Sequence, residues 1–157
     1  MESRALSAAL EREHREIDEG IEAFTAALAK GEEDTAPLTR AMEALRRHIY
    51  LEEEFLFPPL RDAGLMAPVL VMLREHGEIW RAMDRLDAAV ARGPADGGAR
   101  EMCDELLELL DRHNSKEEPI LYPQADAVLK PEVLDRLRDL LATGRLPEGW
   151  VCRQARA

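Results

Sequence analysis

The sequence predicts an all-α protein: an antiparallel up-down-up-down four-helix bundle with a short fifth helix and a tail at its C-terminus. Three observations lead there. Four long segments carry apolar residues at steps of three and four, the period of one helix face. Short turn-forming stretches join them, so helices adjacent in sequence pack side by side in opposite directions. Nowhere do β-branched and aromatic residues alternate between turns as a strand requires. The 157 residues, 46% of them apolar, suit one core.

The first helix is predicted from Ser3 to Ala29, on the stripe Leu6, Leu10, His14, Ile17, Ile21, Phe24 and Leu28. Gly31 and Glu32-Glu33-Asp34 make a turn, and Thr35 is placed to cap the second helix, with Pro37 in its first turn. The second stripe is Leu38, Met42, Leu45, His48, Glu52 and Phe55. Pro58-Pro59 should kink or end this helix, with at most a further turn to Ala63 before Gly64. A third helix from Leu65 or Pro68 to Ala91 carries Val69, Met72 or Leu73, His76, Ile79 or Trp80, Met83, Leu86 and Val90. Arg92 to Gly98 reads as a loop. The fourth helix begins near Ala99, with Met102, Leu106, Leu110, His113, Glu117 and Ile120 on its stripe and Pro119 and Pro123 distorting its second half. Pro131 opens a fifth helix over Glu132 to Ala142. These boundaries divide the chain into a bundle domain, residues 1–143, and a tail, residues 144–157.

The formal charge of −11 argues against a nucleic-acid partner, which selects a basic face. No run of about 18 apolar residues occurs, so no membrane partner is expected. Two isolated cysteines, Cys103 and Cys152, and a first segment without an apolar block set the expectation of a reducing cytoplasm. Cys103 reads as a small core residue, as Met66, Met72, Met83 and Met102 read as core filler.

All four histidines fall on apolar stripes, and two of them have a glutamate four residues on: His48 with Glu52, His113 with Glu117. Residues four apart lie on one helix face, so both pairs point into the core. A buried carboxylate is tolerated when its charge is paired or binds a metal, and these stripes offer no Lys or Arg nearby. The pattern is duplicated. Glu13-His14-Arg15-Glu16-Ile17 matches Glu75-His76-Gly77-Glu78-Ile79, and His48…Glu52…Phe57-Pro58 matches His113…Glu117…Tyr122-Pro123. One helix-helix unit used twice gives a bundle with an approximate two-fold axis, with both His-Glu pairs at one level. Two divalent metals can share the six groups: His14 and His48 on one, His76 and His113 on the other, Glu52 and Glu117 bridging. Imidazole with carboxylate suits iron, with manganese or zinc as alternatives. Open positions on such metals make a reactive site, whereas a structural zinc site is closed.

These residues, over about Ala8 to Pro123, resemble the hemerythrin-like or HHE cation-binding domains. The resemblance implies an oxo- or hydroxo-bridged di-iron centre. It implies a small diatomic or peroxide ligand there: dioxygen, peroxide or nitric oxide, bound or sensed, or else iron buffering. The chain departs from the oxygen carriers in two places: Trp80 stands four after His76 where they place another His, and Glu118 stands where they place an Asp. Ile49 follows His48 where some members carry a Glu. The second metal is therefore short of a ligand, which favours redox or sensing chemistry over reversible carriage, and Trp80 is expected to cover that side. Peroxidase, catalase-like or ferroxidase activity is one alternative and a metal-free structural bundle another. A ferritin-like site needs Glu-x-x-His on two helices, and Glu11-x-x-His14 is the one instance. Tyr50 turns about 200° from His48 and is a poor ligand. Glu13 and Glu75 read as surface residues, Glu53 and Glu118 as a solvated face first and outer-sphere partners second, and Phe24, Phe55 and Phe57 as core packing first and walls of a dry pocket second.

Overall fold

The computed structural model describes residues 2–93 and 98–156. Helix α1 spans Glu2–Ala29 and α2 spans Ala36–Leu51. A π-helical turn over Glu52–Leu56 carries α2 into α3, Phe57–Asp62. Helix α4, Met66–Arg92, and α5, Gly98–Lys116, follow; a second π turn over Glu117–Leu121 carries α5 into α6, Tyr122–Val128. A short α7, Pro131–Thr143, and a 3₁₀ turn, Arg153–Ala155, complete the chain. The four rods are thus α1, α2–α3, α4 and α5–α6, with α7 as the expected short fifth helix. Among the described residues there is no strand. The loop expected over Arg92 to Gly98 falls mostly on residues 94–97, which lie outside those described.

The turns follow the sequence closely. Gly64 ends α3 with φ +99°, a backbone that side-chain-bearing residues rarely adopt. Thr35 sits at the start of α2 without a side-chain cap; Asp34 Oδ1 accepts the Ala36 N–H instead, at 3.1 Å. The prolines do not end the second rod. Pro58 has no N–H to donate, and the π turn just before it absorbs the misfit: the Phe57 N–H bonds the Glu52 carbonyl, five residues back. The Tyr122 N–H bonds the Glu117 carbonyl in the same way ahead of Pro123.

The extra residue in each π turn changes what faces inward. In an α-helix, positions five apart diverge by roughly 140° around the axis. Here Phe57 and Tyr122 stack above Glu52 and Glu117 and are fully buried. Ile120, expected on the inward stripe, is exposed for the same reason, and Phe55 is only half-buried. Met66, read from sequence as core filler, is also exposed, at the first residue of α4.

The core has two apolar parts. One gathers Ile17, Ile21, Phe24, Leu45, Met83, Leu86, Leu106 and Leu110, with Cys103 and Cys152. The other gathers Leu6, Leu10, Leu51, Leu56, Phe57, Leu73, Leu121 and Tyr122. Each buried Leu, Ile or Phe contributes roughly 1.5–3 kcal/mol over exposure. Between the two lie the four histidines, since His14 falls between Leu10 and Ile17 and His113 between Leu110 and Leu121. The polar layer is therefore closed by hydrocarbon along the bundle axis in both directions.

Candidate metal centre

Each rod contributes to that layer. His14 comes from α1, His48 and Glu52 from the second rod, His76 from α4, His113 and Glu117 from the fourth. All six are at most 5% exposed, too little for water to satisfy them. Donor atoms of His14, His48, Glu52 and Glu117 lie within 4.8 Å of one another, and so do those of Glu52, His76, His113 and Glu117. The two groups share both carboxylates. The side chains the sequence nominated thus lie together, His14 and His48 in one group and His76 and His113 in the other.

Four further glutamates hold the outer edge of every imidazole. Glu118 Oε2 lies 2.7 Å from His14 Nδ1, and Glu13 Oε1 lies 2.8 Å from His48 Nδ1. Glu53 Oε2 lies 2.8 Å from His76 Nδ1, and Glu75 Oε1 lies 2.9 Å from His113 Nδ1. A carboxylate in this setting accepts, so each Nδ1 carries the proton and donates. The four contacts form two pairs under the two-fold axis: Glu13 with Glu75, Glu53 with Glu118. This corrects the sequence reading of Glu13 and Glu75 as surface residues, and for Glu53 and Glu118 it favours the outer-sphere alternative over the solvated face. Arg47 in turn holds Glu13 Oε2 at 2.6 Å, and Lys116 holds Glu75 Oε2.

With Nδ1 committed, four Nε2 atoms face one another across the centre. His14 and His48 Nε2 are 3.0 Å apart. Two lone pairs at that distance repel, so a cation, either a proton or a metal, has to stand between such groups. Three buried atoms reinforce the point. Glu52 Oε1, His76 Nε2 and Glu117 Oε2 make no hydrogen bond. Glu52 Oε1 and His76 Nε2 approach to 3.1 Å but without hydrogen-bond alignment. Buried polar atoms are almost always paired, and three orphans among these six neighbouring groups fit a set of donors suited to a cation.

In the metal-free chain, protons fill that role. Burial alone would lower the pKa values of His48, His76 and His113, but the carboxylates outweigh it. His48 is held well above the usual imidazole range by Glu52 and Glu13. His113 is raised to about 10 by Glu117 and Glu75, and His76 is raised by Glu52 and Glu53. Burial would raise Glu117, but the imidazolium charge of His113 holds it well below the ordinary carboxylate range.

One central group was missed. The Tyr122 hydroxyl sits in the middle of the first cluster, 2.6 Å from Glu52 Oε2 and 3.0 Å from Glu117 Oε1. It is also 3.0 Å from Nε2 of both His14 and His48. Burial, then the charges of Glu117 and Glu52, push its pKa well above the ordinary phenol value. Its counterpart is Phe57. Tyr122 stacks on His14 at 5.6 Å and Phe57 on His76 at 5.4 Å. The two halves are therefore alike except that one carries an extra oxygen. Trp80, expected over the second metal position, instead meets Trp150 edge-on at 5.6 Å and lies under the Arg46 guanidinium; Phe57 is the wall beside His76. Tyr50 stays outside the layer, against Phe55 and Trp150.

Fold and site together define a four-helix bundle whose buried His/Glu clusters fit a metal site. The chain belongs to the hemerythrin HHE cation-binding domain family, whose model matches residues 4–125. No curated protein and no solved structure matches it. Among the described residues no helix is long and apolar enough to cross a membrane.

Proposed function

We propose that this chain is a non-haem di-iron protein that binds or senses dioxygen, peroxide or nitric oxide, or buffers iron. His14 and His48 would hold one iron, His76 and His113 the other, with Glu52 and Glu117 shared between them. The observation that carries the reading is the trio of orphaned buried atoms, Glu52 Oε1, His76 Nε2 and Glu117 Oε2, two of them on the carboxylates that both clusters share. Bound there, iron would supply a redox-active Lewis acid with positions open to a small exogenous ligand.

The chain's own residues do the rest. The four outer glutamates fix the Nδ1–H tautomers and turn every Nε2 lone pair inward. The apolar parts of the core exclude bulk water from both directions along the bundle. Phe57 and Tyr122 brace the rings of His76 and His14.

Metal analysis after anaerobic loading with ferrous iron should find close to two irons per chain. Equal loading of a His48→Ala, His113→Ala double variant would falsify the assignment.

A second reading, an oxidoreductase with peroxidase, catalase-like or ferroxidase activity, is favoured by Tyr122. Its O–H is a proton donor inside a closed cage, within 3.0 Å of both shared carboxylates. Rapid mixing of the ferrous protein with oxygen and with peroxide separates the readings. A reversible adduct supports binding or sensing, and sustained consumption of the oxidant supports the enzyme.

A further inference from the structure

We propose that the C-terminal segment, residues 144–156, is a strap that positions the His76 side of the centre through the backbone N–H of Arg153. This segment lies beyond the family-matched residues 4–125. The inference rests on reading the centre as a metal site.

Glu53 is the link. Its Oε2 accepts from His76 Nδ1 at 2.8 Å, and its Oε1 accepts the Arg153 N–H at 2.9 Å. Both oxygens are engaged, and the side chain is 4% exposed. Its counterpart Glu118 plays the same part toward His14, yet its other oxygen takes no hydrogen bond from the described residues and its side chain is 32% exposed. The strap is what makes the difference between two otherwise related carboxylates.

The strap is held at several points. Trp150 meets Tyr50 and Trp80 edge-on, and its Nε1–H donates to Glu54 Oε2 at 3.2 Å. The buried Cys152 thiol points at the His76 carbonyl, 3.6 Å away. Arg81 donates to the Gln154 carbonyl at 3.2 Å. Helix α4 makes room for it at Gly77, directly after His76. A Cβ there would lie 2.7 Å from Gln154 Cβ, so a larger residue forces the strap away. A carboxylate with both oxygens fixed holds the imidazole at one angle, and outer partners of this kind typically change metal affinity by about 10–100-fold when removed.

Arg153→Pro isolates the hydrogen bond. Cys152 is extended, with φ −61° and ψ 151°, as a residue before proline prefers, and Arg153 opens the 3₁₀ turn, where proline is accommodated. Arg153→Ala keeps the N–H and loses only the side chain. With ferrous iron loaded anaerobically and then stripped by a ferrous chelator, Arg153→Ala should release both metals as the parent does. Arg153→Pro should release one of them about tenfold faster and leave the other unchanged. In the metal-free chain, the His76 Nδ1–H proton resonance should exchange faster with water in Arg153→Pro, the other three imidazoles staying as in the parent. Gly77→Ala should reproduce both effects by displacing the strap.

Identical behaviour of Arg153→Pro and Arg153→Ala overturns the proposal. So does equal acceleration at both metals, which would mean a general loosening. A parent chain that takes up fewer than two irons overturns the reading of the centre instead. The proton resonance, read without metal, still decides the strap.

Discussion

Raising the pH of the metal-free chain from 6.5 to 10 should destabilise it, a trend that follows from the imidazolium network. His113 carries the clearest shift. Burial would depress its pKa, but the Glu117 charge and the hydrogen bonds that His113 donates to Glu117 and Glu75 raise it from 6.5 to about 10. A folded-state pKa above the unfolded one stabilises fully below pH 6.5, and the benefit is gone once the pH passes about 10. A shift of this size corresponds to ~5 kcal/mol across the window. Whole domains are stable by only ~5–15 kcal/mol. Urea unfolding followed by circular dichroism, at several pH values after exhaustive metal removal, measures the slope directly. His113→Gln should flatten it. In the same window metal should bind more tightly as pH rises, because His48, His76 and His113, whose pKa values are raised, must each shed a proton to bind it. A metal-free chain as stable at pH 10 as at 6.5 would mean that protons do not hold the centre together.

Two further outcomes follow from groups beside the centre. Asp18 is pushed up to about 6, chiefly by burial, with the nearby acids adding to the shift and His14 opposing it. A raised carboxyl favours the fold while neutral and costs stability as pH climbs through 6. Asp18→Asn should therefore stabilise at pH 7 by about 1 kcal/mol, after discounting for its partial exposure, and have no effect at pH 3. Thermal melts at both values check this, and a destabilised variant at pH 7 contradicts it. Tyr122→Phe copies Phe57 in shape but removes the hydroxyl from Glu52 and Glu117. The metal-free variant should lose about 1–3 kcal/mol in urea unfolding, and an unchanged midpoint would mean the phenol contributes nothing there.

The rods and the six inward groups were legible in the sequence because both are single-helix properties. A three-four stripe needs no knowledge of what packs against it, and His48 with Glu52 declares its own face. What the stripes could not supply lies across interfaces. Glu13 turns about 100° from His14 on its own helix, which reads as surface. It reaches instead to His48 on the next rod. Glu53 and Glu118 likewise serve histidines of the other helix pair. The duplication held the missing signal: Glu-His at 13–14 recurs at 75–76, and Glu-Glu at 52–53 recurs at 117–118. Surface residues have no reason to repeat in register with buried histidines and glutamates. Tyr122 escaped for a different cause, since an α-helical count of five points it away and only the π turn brings it in. The tail has no periodicity, so its docking onto Gly77 and Glu53 had no trace to read.

The π turns also act as rulers. Each holds one residue more than an ordinary turn would at the same height, so the rod above it is rotated by about 100° relative to an uninterrupted helix. Deleting any one residue between 53 and 56 would let the second rod relax and swing Phe57 off the His76 ring. The matching deletion between 118 and 121 would carry the Tyr122 hydroxyl away from both shared carboxylates. Apart from what Glu53, Leu56, Glu118 and Leu121 do through their own contacts, the number of residues in these four-residue stretches is itself fixed, and homologues that keep the aromatic at this level should show no insertions or deletions there.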